Sequence, residues 1–74
     1  MFLNTQPRNL EKVRSSLLTI PEIISADTVF GSYDVICPIR ANGKKELERV
    51  ISHIHNKIPG VEGTITAVVA GLRI

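Results

Sequence analysis

A four-residue phrase occurs twice in this chain. Ile20-Pro21-Glu22-Ile23 recurs as Ile58-Pro59-Gly60-Val61, an offset of 38 in a chain of 74 residues. Each copy follows a helix-like stretch and precedes a run with strand-like character. Asn9 to Thr19 sets Leu10, Val13, Leu17 and Leu18 on one stripe, which predicts an amphipathic helix. Asn9 is its expected N-cap, and Pro7 marks the end of whatever precedes it. Pro21 stops the helix, because a residue before proline resists the helical region. In the second copy Leu47, Val50, Ile51, Ile54 and Ile58 keep a 3-and-4 spacing, Asn42 is the expected cap, and Pro59-Gly60 ends the helix.

Between the helices lie two extended runs. Ile23 to Phe30 alternates with period 2, placing Ile24, Ala26, Thr28 and Phe30 on one face. Tyr33 to Ala41 sets Val35, Cys37 and Ile39 against Ile36 and Pro38. Only Gly31-Ser32 separates them, and glycine first suits a type II′ hairpin turn. Val61 to Ile74 reads as one long final strand, open to a break at Gly71. With Met1 to about Thr5 as the first strand, the order is β-α-β-β-α-β. Two such halves joined by a hairpin make a ferredoxin-like α+β fold: a four-stranded antiparallel sheet with two helices on one face. One domain, residues 1–74, is expected.

The repeat also shows that the first strand is short. Shifting Tyr33–Ala41 back by 38 ends it near Leu3. A clipped central strand leaves a gap beside its neighbours. Pro38, which cannot donate to a ladder, either turns its missing N–H toward that gap or marks a bulge.

Both faces of the predicted sheet are apolar. A bare face of Val, Ile and Leu is the kind of patch that marks an interface. A chain this short buries only about 60% of its unfolded surface and needs help. Cys37 is the one cysteine, so no disulfide supplies that help. Cys37, His53 and His55 are too few for a four-ligand zinc site, and the histidines, two apart on a helix, do not face one metal. The reading is a homodimer packed sheet to sheet in a barrel-like assembly, with neither metal nor cofactor. A net charge of +2 is too weak to argue for nucleic acid. The absence of a long apolar run or leader pattern, with an unpaired cysteine, suggests a cytoplasmic protein away from membranes.

The sharpest local feature is Gly31-Ser32-Tyr33-Asp34. A hairpin tip offers free backbone groups, Asp34 can accept from an ammonium group, and the Tyr33 ring can close over a small side chain. Thr64 and Thr66, two apart on a strand, would share a face. Cys37 reads as a buried, inert thiol. Lys44, Lys45, Arg49 and Lys57 read as a solvated helix face.

The segment Ala26 to Asp34, with its G-x-Y-D hairpin, resembles the effector domain of the Lrp/AsnC family, also called the RAM domain. That family pairs the hairpin with I-P-G-V and T-x-T, here Ile58-Pro59-Gly60-Val61 and Thr64-Ile65-Thr66. The resemblance runs from about Leu3 to Leu72. It implies a regulatory domain that senses amino acids. Dimers would associate into a higher oligomer such as an octamer, with effectors held in clefts between dimers. By that likeness Gly31, Ser32, Tyr33, Asp34, Thr64 and Thr66 would line the cleft. Asp34 would take the α-amino group; hydroxyls and N–H groups would take the carboxylate. The helix-turn-helix domain of most relatives has no counterpart here, so a stand-alone form is expected, without DNA binding of its own. It would act with full-length relatives. Arg8 replaces a glycine common in the family.

Catalysis is the competing expectation and is not favoured. A general base needs an enclosed pocket, and Asp34 and the helix-borne histidines are the only candidates. RNA binding would need exposed strand aromatics, and a metal chaperone would need C-x-x-C.

Overall fold

The computed structural model describes residues 1–69. Its strands are β1 (Phe2–Thr5), β2 (Asp27–Thr28), β3 (Val35–Ile36) and β4 (Val61–Ile65); its helices are α1 (Leu10–Leu17) and α2 (Lys44–Lys57). They form one four-stranded antiparallel sheet in the order β2-β3-β1-β4. This is the ferredoxin-like arrangement.

Alternation along β1 decides which side carries the core. Leu3 lies opposite Val35 and Thr64. Leu3, Val35 and Cys37 are fully buried together with Val13 and Leu17 of α1 and Val50 and Ile54 of α2. Both helices therefore cover the Leu3 side. Each such side chain contributes about 1.5–3 kcal/mol when fully buried. On the other side Phe2 lies between Ile36 and Ile65 in one cross-strand row. Ile65 is 51% exposed. An apolar row on the uncovered face agrees with the sequence.

Several local expectations are corrected. Pro7 does more than stop a strand: Pro7–Asn9 forms a 3₁₀ turn, where the missing proline N–H costs nothing, and α1 follows. Asn9 makes no side-chain cap. Gly43, not Asn42, is the cap residue of α2; Glu46 reaches back to accept from the Asn42 backbone N–H. Leu18 is 48% exposed and outside the core. Thr66 lies beyond the end of β4, and residues 70–74, including the suggested break at Gly71, lie outside the described residues.

The long alternating run before the hairpin is broken. Asp27 pairs with Ile36, yet Ile23 pairs with Ile39, so three residues oppose two. The extra residue is a bulge facing Pro38, whose carbonyl accepts from the Ile24 N–H at 2.9 Å but which has no N–H to return. The bulge also explains why Ile23 and Ala26, three apart, are both buried. The bulge reading of Pro38 holds, and its missing N–H is on the β2 side.

Candidate functional site

The hairpin keeps the register that a Gly31-Ser32 loop dictates, since Thr28 pairs with Val35. The ladder closes one pair early, at a 2.9 Å bond from the Val29 N–H to the Asp34 carbonyl. Phe30 and Tyr33 then splay apart. Phe30 is fully exposed, while the Tyr33 ring turns onto Phe2, with centroids 5.7 Å apart. Gly31 has φ +147, a conformation L side chains avoid.

Three contacts stitch the tip to β1. Asn4 donates through Nδ2 to the Ser32 carbonyl at 3.0 Å. The Asp34 N–H donates to the Leu3 carbonyl at 2.9 Å. The Thr5 N–H donates to Asp34 Oδ2 at 2.9 Å. The last contact has a clear origin. Met1 and Leu3 turn their backbone groups toward β3, and so does Thr5; β1–β3 pairing ends at Leu3–Val35, so the Thr5 N–H has no ladder partner there and needs another acceptor. Asp34 is therefore part of the scaffold before any ligand arrives. Its Oδ1 has no partner among the described residues.

The threonines lie elsewhere. Thr64 is on the helix-covered side of β4, with Oγ1 3.1 Å from His55 Nε2. Thr66 lines a cavity near Met1. β1 separates β3 and the hairpin from β4, so one subunit does not gather the six predicted residues into one pocket. Gly31 to Asp34 form one group; Thr64 and Thr66 belong to two other places. Asn4 and His55 carry contacts that the sequence reading did not assign. Asn4 signals nothing by type or spacing, because its partner lies 28 residues away.

Cys37 is buried, and burial pushes its thiol pKa up, opposite to what a nucleophile needs. Among the described residues no group of three His, Cys, Asp or Glu side chains is placed to hold a metal ion. No described helix is long and apolar enough to cross a membrane.

The family model for the Lrp/AsnC ligand binding domain matches residues 1–71. The chain belongs to that family. Among solved structures, this Lrp/AsnC domain resembles hypothetical protein PHS023 from Pyrococcus horikoshii, with TM-score 0.78 and 27% identity over 93% of this chain and 86% of that one. It also resembles FFRP-DM1, with TM-score 0.76 and 27% identity over 84% of this chain and 83% of the other. No curated protein matches.

Proposed function

We propose that this Lrp/AsnC domain is a cytoplasmic amino-acid sensor that works as an oligomer and influences transcription through relatives that bind DNA. The observation that carries the reading is the division of labour on Asp34. One carboxylate oxygen holds the Thr5 N–H and fixes the group in place; the other has no described partner. A fixed acceptor suits an α-ammonium group. Because one subunit supplies only the hairpin half, the remainder of the site comes from a neighbouring subunit. Dimers joined through the Phe2, Ile36 and Ile65 row, and rings of such dimers, are the assembly proposed. The reading is binding rather than catalysis. Asp34 stands at an open tip, and both histidines are exposed on α2, so none has the enclosure a general base requires.

The test is a thermal-shift screen of the twenty amino acids. A ligand at 100 times its Kd stabilises by about 2.7 kcal/mol. Asp34→Asn keeps an oxygen for the Thr5 N–H and removes the charge. It is expected to melt near the parent temperature and lose the ligand shift. Asp34→Ala is expected to lose the shift and also stability, by roughly 1–3 kcal/mol for the orphaned N–H. A screen in which no amino acid raises the melting temperature, or an Asn variant that keeps the full shift, rejects the sensor reading.

A further inference from the structure

The chain has four asparagines, and their surroundings differ. Asn4 lies in β1 and donates through Nδ2 to the Ser32 carbonyl. Asn9 packs beneath Gly60 and is followed by Leu10, the first residue of α1. Asn56 lies inside α2 and donates to Ser52 Oγ at 3.1 Å. Asn42 is in none of these situations. It is exposed, stands between β3 and α2, and its side chain makes no hydrogen bond among the described residues. It is held through its backbone, whose N–H donates to Glu46.

The residue after Asn42 makes it reactive. Gly43 has no side chain to shield its nitrogen, and its φ of +137 is a conformation that L residues avoid. An added Cβ there would meet nothing within 4 Å, so the approach to the Asn42–Gly43 peptide is open. The Gly43 N–H makes no hydrogen bond among the described residues, whereas its carbonyl accepts from the Leu47 N–H at 3.1 Å and opens the α2 ladder. The Gly43 nitrogen thus stands at the positive end of a 14-residue helix, with Lys44 and Lys45 next in the chain. Both features favour its deprotonated form. Glu46, the acid of that turn, opposes them but lies 3.6 Å from Arg49.

We propose that Asn42 is a self-modification site, converted by the Gly43 nitrogen to aspartate and isoaspartate. That nitrogen forms a bond to the side-chain carbonyl carbon of Asn42. The bond from this carbon to Nδ2 breaks, and ammonia leaves with the Gly43 proton. Water then opens the cyclic imide. Attack at the side-chain carbonyl gives aspartate; attack at the backbone carbonyl gives isoaspartate, with the main chain rerouted through the side-chain carbon. Nothing is oxidised or reduced, and solvent water is the sole co-reactant. Either product replaces a neutral amide with a carboxylate close to Glu46. The isoaspartate form also lengthens the main chain between the N–H that Glu46 accepts and the glycine that caps α2, which loosens the start of the helix.

The test ages the full chain in mildly alkaline buffer and maps its peptides by mass spectrometry, with an isoaspartate methyltransferase as label. Conversion at residue 42 is expected to outrun that at Asn4, Asn9 and Asn56 by about tenfold or more. It is expected to stay within about tenfold of the rate in an acetylated Ala41–Lys45 peptide, which has no fold to protect it. Asn42→Gln is expected to abolish the label; the side chain it replaces is exposed and unbonded, so the fold is kept. Gly43→Ala is expected to slow conversion by about tenfold or more, in the peptide as well as in the full chain, where the φ of Gly43 strains alanine. Hydrogen exchange at the Leu47 amide should be faster in the isoaspartate form than in the parent, while Asn42→Asp, with its ordinary main chain, keeps the parent rate. The proposal is overturned if Asn42 persists in the folded chain while the peptide converts, or if another asparagine converts first. Equal Leu47 exchange in the isoaspartate and parent forms overturns the loosening of α2.

Discussion

Gly60 carries the tightest constraint among the described glycines. Its φ is +97, and an added Cβ would lie 3.1 Å from Val13 Cγ2 and 3.2 Å from Asn9 Cβ. Conformation and space both exclude a side chain, at the place where the turn after α2 meets the start of α1. Gly60→Ala is expected to cost more than about 1 kcal/mol, or roughly 4–8 °C per kcal/mol in melting temperature for a domain this small. Gly31→Ala is the control. It shares the unfavourable φ but meets nothing within 4 Å, so its loss should be the smaller. The thiol of Cys37 gives a second expectation. A buried thiol with raised pKa should resist labelling at neutral pH until the chain is unfolded, and labelling of the native protein at the rate of a free thiol would contradict the packing. The sequence marked Gly60 by its place in the repeated phrase, and Cys37 by its alternating neighbours. It did not mark Asn4, because contact with Ser32 exists only once β1 lies beside β3.

At the scale of elements, β1 is the most informative. It is four residues long and sits between β3 and β4. Leu3 is its fully buried residue and faces both helices' core. Leu3→Ala is expected to destabilise by about 2–5 kcal/mol in a denaturant titration, enough to unfold a marginal domain at modest temperature. The repeated phrase shows a division between its two copies. Gly60 packs against α1, whereas Glu22, at the equivalent position, pairs with Arg49 of α2 at 2.7 Å. That hydrogen bond holds the Glu22 carboxyl below the ordinary glutamate range. A depressed folded pKa means stability that is present above the unfolded value and lost as pH falls through the folded one. Glu22→Gln should therefore show a slightly flatter stability curve on acidification than the parent, with the two curves drawing together at the acid end. The effect is small, because Arg49 is well exposed. Helix limits and strand order were legible in the sequence to within a few residues. The bulge facing Pro38 was legible as one of two possibilities. The 3₁₀ turn at Pro7 and the cap by Glu46 were not, since each depends on how the chain enters the helix.

At the scale of the whole molecule, an apolar row stands on the uncovered face. Ile36 and Ile65 flank Phe2 there, and substituting aspartate for either should cost little in the monomer. Where association uses that face, Ile65→Asp should shift sedimentation toward the single subunit while the circular dichroism stays folded. A parent chain that sediments as a stable monomer at micromolar concentration would remove the basis for sheet-to-sheet pairing. The amino-acid sequence by itself determined the order of elements, the sheet plan and the family, because period, glycine, proline and a repeated phrase act through neighbours in the chain. It also marked the first strand as short. Only the tertiary structure decided that Asp34 is bound to Thr5 and that Thr64 and Thr66 stand apart from the hairpin. Those facts depend on which strand lies beside which and on a one-residue shift in register. A shift of that size redirects backbone groups and side chains without altering the alternation from which the strands were read.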